Sequence, residues 1–276
     1  MSSRAAKGGM VTFETEGPIG TLTLRRPERH NALNEGLWRS LSETIKKAAA
    51  ESEVRVILLE GEGDSFCSGL DLDPGNEVIR VLTERPSAEQ KMRAFAAIKW
   101  IQSMYTALEI LPVPTIGVIQ GHCLGAGLEL ACCCDMRFCS SDAIFSLPET
   151  RFAIIADVGG LQRLTRIVGR AKARELAFRG HTIRAEEARR IGLVNDVFDT
   201  RELLFKNTGE IAREIAANSP LAVQGAKEVL LHSEDVSLAQ GLEYNAARSA
   251  MILPSEDLSE AFKAYREKRD PEFKKN

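Results

Sequence analysis

The chain lacks most features that would tie it to a membrane, a nucleic acid or an oxidising compartment. No apolar run reaches the roughly 20 residues that span a bilayer. No stripe of one charge runs along it. Its 36 Lys and Arg stand against 39 Asp and Glu, for a net charge of −3, so the footprint of a nucleic-acid binder is missing. The opening MSSRAAKGGM has no apolar core of a secretory signal and reads as a flexible tail over residues 1–10. The closing Lys274-Lys275-Asn276 is not the Ser-Lys-Leu address. The six cysteines contain no Cys-x-x-Cys pair. Cys132, Cys133 and Cys134 are consecutive. Consecutive helical residues point in different directions, so they cannot converge on one metal. They read as small buried hydrophobes in a reducing compartment. A cytoplasmic location is expected if the source is bacterial.

What is present is a large apolar protein with acids in unusual company. The chain has 276 residues, 44% of them hydrophobic, enough for one large domain or a domain with an appendage. Between Gly117 and Gly169, three acids stand among apolar and small residues: Glu129, Glu149 and Asp157. An unpaired carboxylate is costly to bury. Such acids are paired, hydrogen-bonded, or raised in pKa so that they carry protons. The last option is expected here. Just before Glu129, Gly121-His122-Cys123-Leu124-Gly125-Ala126-Gly127 forms a turn of small residues feeding a helix over 128–134. Such a turn leaves free N–H groups at the helix start, where an oxyanion or a phosphate can sit. The spacing is neither G-x-G-x-x-G nor a P-loop. Close packing alone would also explain it.

The rest of the chain reads as alternating strands and helices. Val11–Glu14 and Gly20–Leu24 alternate like a hairpin, with Gly17-Pro18 as its turn. A basic loop follows with Arg25, Arg26 and Arg29; it is either a solvated loop or a site for a polyanion. Asn34 caps a helix reaching about Glu51, with Leu37, Leu41, Ile45 and Ala48 at helical spacing. Val54–Glu60 is a buried strand running into a loop through Leu72, the kind of place where ligands gather in α/β layers. The polar stretch 73–86 reads as a loop, 87–111 as a long helix, and 115–119 and 136–139 as strands. The order implies an α/β architecture with parallel pairing.

Ordered matches run through nearly the whole chain: Arg26-Pro27-x-x-x-Asn31-Ala32-Leu33, Phe66-Cys67-Ser68-Gly69-Leu70-Asp71-Leu72, Pro112-x-Pro114, Gly121-x-x-x-Gly125-Ala126-Gly127-x-Glu129-Leu130, Pro148-Glu149, and Gly159-Gly160-Leu161-Gln162-Arg163-Leu164. On these residues the chain resembles the crotonase superfamily, the enoyl-CoA hydratase/isomerase family. The resemblance implies a spiral of repeated ββα units over 11–200. A helical region over 201–276 would assemble trimers or hexamers. It implies an acyl-CoA thioester substrate, no metal and no separate cofactor. Backbone N–H groups matching Ser68 and Ala126 would stabilise a thioester enolate. Residues Arg26, Arg29, Ala32, Ser68, Gly69, Leu70, Asp71 and Leu72 would contact the substrate or its CoA. Phe262 and Lys263, in the helix 261–269, would cover the CoA cleft.

Glu129 and Glu149 match the two glutamates of the family's hydratases. Asp157 matches the aspartate in the Ala-Asp-Val-Gly of the Δ3,5-Δ2,4-dienoyl-CoA isomerases, where hydratases usually have a small residue. Those isomerases typically have Asp at the position of Glu129, so the site combines the isomerase's third acid with the hydratase's pair. The resemblance implies an isomerase in which Glu149 serves C2 and Asp157 serves C6. Hydration by the Glu129/Glu149 pair is the alternative. A binding relative with secondary catalysis is the third reading; the retained acids weigh against it, and the low sequence pI of about 5.9 weighs against RNA as its ligand.

Overall fold

The computed structural model describes residues 9–83 and 87–274, so most of the expected N-terminal tail, residues 1–8, lies outside the described residues. β1 (Val11–Glu16) and β2 (Ile19–Leu24) form the expected antiparallel hairpin. α1 (Glu35–Ala50) is capped by the Asn34 side chain, which accepts from Leu37 N–H at 2.9 Å. Then come β3 (Val56–Gly61), α2 (Glu77–Thr83) and α3 (Ala88–Glu109). β4 (Thr115–Ile119), β5 (His122–Leu124) and α4 (Ala126–Ala131) follow, then β6 (Met136–Ser140), β7 (Ile144–Ser146) and α5 (Gly160–Arg179). The core closes with β8 (Ile183–Arg184), α6 (Ala185–Arg190) and β9 (Asp196–Phe198). α7 (Arg201–Ala216), α8 (Pro220–Ser233), α9 (Leu238–Ile252) and α10 (Glu256–Glu267) complete the chain.

The pairs β4–β5 and β6–β7 each give one strand to each of two sheets. The large sheet runs β1-β2-β3-β4-β6-β9 and is parallel apart from the first hairpin. The small sheet runs β5-β7-β8. β4 lies beside β6 in the large sheet and β5 beside β7 in the small one, so successive units stack as turns of a spiral. The bridge between Cys67 and Cys123 extends the small sheet one unit back toward β3.

The centre of the large sheet is covered on both faces, so β3 and β4 read as near-continuous apolar runs, broken in β3 by Glu60, rather than alternating. On one face Ile57 and Leu59 pack with Leu37, Leu41 and Ile45 of α1 and with Tyr105 and Leu108 of α3. On the other, Val56, Ile116, Val118 and Phe138 pack against Leu204, Ala212 and Ala216 of α7. α7 therefore belongs to the core by packing, although it follows the expected boundary at residue 200. α8 is tied on by Lys227, whose Nζ donates to Asp135 Oδ2 at 2.7 Å and to Val113 O at 3.0 Å.

Two local expectations change. The stretch 73–86 contains a helix, α2, whose Val78 packs against the core; residues 84–86 lie outside the described residues. The glycine turn contains a short strand, β5, and its helix starts earlier and ends earlier than 128–134. All six cysteines are free and buried in the core, and burial pushes each thiol pKa up.

Candidate active site

The local backbone of two segments creates a place for a developing negative charge. Gly125, with φ 53°, turns the chain from β5 into α4. Its left-handed conformation favours glycine, and a Cβ there would lie 2.8 Å from Glu149 Oε1. Ala126 opens the helix, so its N–H has no partner within α4. Its carbonyl accepts from the buried Tyr105 hydroxyl at 2.9 Å, which fixes the peptide plane from α3. The facing segment is Ser68-Gly69-Leu70. Gly69, with φ 90°, packs so close that a Cβ would lie 2.6 Å from Leu124 O and 3.6 Å from Ala126 N.

The expectation for Ser68 needs correction. Its N–H donates to His30 O at 2.9 Å and is spent inside the fold. Leu33 and Leu70 form a parallel bridge in which Leu33 N–H bonds Gly69 O and Asp71 N–H bonds Leu33 O. That register turns Leu70 N–H the other way. Among the described residues, no hydrogen bond occupies Leu70 N–H or Ala126 N–H. The Ser68 side chain still lines the cavity described next.

Both segments open onto a cavity of about 740 Å³ that also holds all three acids. Its apolar wall comes from Val78 and Val81 of α2, from Ala94, Ala97, Ile98 and Ile101 of α3, and from Trp38. Glu129, on α4, is 2% exposed, and its Oε2 accepts from Gly160 N–H at 2.5 Å. Burial pushes its pKa up against that hydrogen bond, and the charges of Glu149 and Asp157 push further, to about 8. Glu149 sits in the short 3-10 turn after β7, with Oε2 buried and unpartnered among the described residues. Burial lifts it, its own N–H opposes, and the charge of Asp157 adds, to about 7. Asp157 is half-buried just before α5, and its pKa is raised, again chiefly by burial. Three carboxyl groups in one apolar pocket cannot all ionise readily, so the site holds protons near neutral pH.

The other expected binding residues divide. Gly69, Leu70 and Leu72 line the cavity, while Ala32 and Asp71 are buried beside it rather than in its wall. Arg26 is committed inside the fold: Nη1 donates to Asp71 Oδ2 at 2.6 Å and to Ala32 O at 2.9 Å. Burial would raise Asp71, but the Arg26 hydrogen bond, the Asp73 N–H and the charges of Arg26 and Arg29 hold it below the usual carboxylate range. Arg26 and Asp71 thus brace the loop, and neither is among the residues that line the cavity. Arg29 is 45% exposed and pairs with Asp73 at 2.8 Å. Phe262 and Lys263 lie on α10, outside the cavity wall. Residue-level reading missed Tyr105 and the Leu70 N–H. The only sequence signal for Tyr105 is a hydroxyl on the apolar face of α3.

The enoyl-CoA hydratase/isomerase family profile matches residues 14–276. The chain is 40% identical over 270 residues to the peroxisomal Δ(3,5)-Δ(2,4)-dienoyl-CoA isomerase of Arabidopsis thaliana, covering 96% of each. It is 34% identical over 268 residues to the short-chain-enoyl-CoA hydratase of Clostridium acetobutylicum, covering 96% of this chain and 98% of that one. The crystal structure of an enoyl-CoA hydratase from Bacillus anthracis superposes with a TM-score of 0.88 at 33% identity, covering 97% of this chain and all of that one. The expected spiral of ββα units with a helical C-terminal region is the fold the chain shares with it.

Proposed function

The chain is an enzyme of the enoyl-CoA hydratase/isomerase family, and we propose that it is a Δ3,5-Δ2,4-dienoyl-CoA isomerase. The observation that carries this reading is Asp157, which lies in the wall of the same cavity as Glu129 and Glu149. The thioester oxygen would take the N–H groups of Leu70 and Ala126. Glu149, as carboxylate, removes a proton from C2. The electron pair spreads through the conjugated system onto the thioester oxygen and C6. Asp157, as acid, delivers a proton to C6. The C3=C4 and C5=C6 double bonds become C2=C3 and C4=C5. The base ends protonated and the acid ionised, so exchange with solvent resets the pair. No electron leaves the substrate, so the step calls for no redox cofactor or metal.

Glu149, lifted to about 7, suits a group that takes up a proton near neutral pH, where proton transfer is most efficient. Two backbone donors suit the enolate; one such donor typically contributes about 10²–10³ in rate. The unpartnered Oε2 of Glu149 beside Glu129 favours a second reading, hydration of 2-enoyl-CoA by that pair. Arg29, 45% exposed, would be a cation for the CoA phosphates. The C-terminal helices expose Leu230, Leu238, Leu242, Met251 and Phe262, which supports a trimer or hexamer.

A paired assay tests the reading. Conversion of 3,5-dienoyl-CoA is followed by the rise of the conjugated 2,4-dienoyl absorbance, and hydration by loss of 2-enoyl absorbance. The isomerase reading expects fast isomerisation and slow hydration. Fast hydration without isomerisation would reduce Asp157 to a turn residue and leave a hydratase.

A further inference from the structure

α3 carries two stripes that adjoin. The apolar stripe, Ala94, Ala97, Ile98 and Ile101, walls the cavity. The second stripe is polar: Gln102, Thr106 and Glu109, spaced i, i+4, i+7 on one helix face. All three reach the segment that enters α5. Gln102 Nε2 donates to the Asp157 carbonyl at 2.6 Å. Arg163 Nε and Nη2 donate to the two oxygens of Glu109 at 2.9 and 2.6 Å, and Nη2 reaches Thr106 Oγ1 at 3.3 Å. Arg163 also bonds Gly159 O through its own N–H at 3.2 Å, and the next residue, Gly160, supplies the N–H that holds Glu129. The segment 157–163 thus hangs from α3 at two ends. One end carries Asp157. The other is Arg163, and the donor to Glu129, Gly160, lies between them.

Resting on the isomerase reading, we propose that Gln102 is a positioning residue that sets Asp157 for proton delivery to the far end of the diene, while Glu109, through Arg163, sets the Gly160 N–H for Glu129. The side chain of Asp157 has no bond to another side chain among the described residues. Its direction is fixed by its backbone, and the Gln102 bond is the tie on that backbone. The Gln102 amide also accepts from Lys99 Nζ at 3.0 Å, which orients it to donate toward Asp157. Neither Gln102 nor Glu109 touches the cavity, so both act through other residues. Because both stand on the helix whose apolar face meets the acyl chain, a shift of α3 changes the acid spacing with it.

The test is a pair of variants, Gln102→Met and Glu109→Gln, each close in length to the native side chain. Gln102 is partly exposed, and Glu109→Gln keeps an oxygen that can still accept from Arg163. Gln102→Met is expected to lower kcat for isomerisation by about 10- to 100-fold, the loss that ångström-scale misplacement produces, with KM and hydration kept. Glu109→Gln is expected to do the reverse and depress hydration more than isomerisation. Amide exchange at 156–159 should quicken in Gln102→Met and stay unchanged across α1 and β3. Equal loss of both activities in Gln102→Met, or no loss with unchanged exchange, overturns the proposal. If the unmodified enzyme does not isomerise, the isomerase reading fails separately. Gln102 as a tie on Asp157 then stands or falls on the exchange result alone.

Discussion

The molecule buries charge in two opposite ways. Around the Arg26 loop, under α8 and beside α5, each buried charge meets its opposite. Arg26 takes Asp71 at 2.6 Å, Lys227 takes Asp135 at 2.7 Å and Arg163 takes Glu109 at 2.6 Å. In the cavity, Glu129, Glu149 and Asp157 share an apolar wall, and among the described residues none of the three has an ion-pair partner; Arg39, also in the lining, pairs with Glu35. Asp71, paired, is held below the usual carboxylate range. Unpaired acids are lifted, Glu129 to about 8 and Glu149 to about 7. The first arrangement builds loops; the second makes proton carriers. The same chemical group thus serves stability or catalysis according to whether a cation stands beside it.

The sharpest break of this contrast is Glu149→Gln. It removes the base while keeping shape, and both isomerisation and hydration should fall by about 10²–10⁴-fold, read as kcat on each substrate. Next is Arg26→Met, which takes the nearer cation from the buried Asp71 carboxylate and leaves it only the longer Arg29 contact at 3.4 Å. Stability should drop by about 3–5 kcal/mol, the usual cost of leaving one half of a buried pair, measured from the urea midpoint. Glu129→Gln should act in the opposite direction. The folded pKa of Glu129 lies above its unfolded value, so the folded state keeps a proton that the unfolded chain releases. Its ionisation therefore costs stability as pH rises from about 4.5 to about 8. The variant escapes that cost. Its Tm should exceed that of the native protein at pH 8, by about 2–4 °C per kcal/mol gained, and the gap should close toward pH 5. The smallest effect belongs to Arg25→Met. The Arg25–Glu62 pair is over 40% exposed on both sides, and such pairs contribute only about 0–1 kcal/mol.

The sequence made β1 to β4, β6, α1, α3 and the three acids legible, because each rests on a local pattern, whereas α5 and β7 to β9 went unread. β3 and β4 are short apolar runs between breakers, and acids among apolar residues are conspicuous. What it hid depends on partners distant in sequence. α2 sits in a polar stretch, and its Val78 and Val81 gain meaning only against the cavity. β5 spans three residues between glycines, too few for a period. The choice between the Ser68 and Leu70 N–H groups turns on the register of the Leu33 bridge. The commitment of Arg26 turns on Asp71, 45 residues away. Gln102 reaches Asp157 across 55 residues, and no spacing rule announces such a contact.

The most direct test of the account is the ratio of isomerisation to hydration in Asp157→Asn, measured on one preparation with both substrates. Asparagine keeps the size of the side chain and cannot deliver the proton. The account expects isomerisation to fall by about 10²–10⁴-fold while hydration stays near its native rate. An unchanged ratio, whether both activities persist or both collapse, would contradict it and return Asp157 to a structural turn.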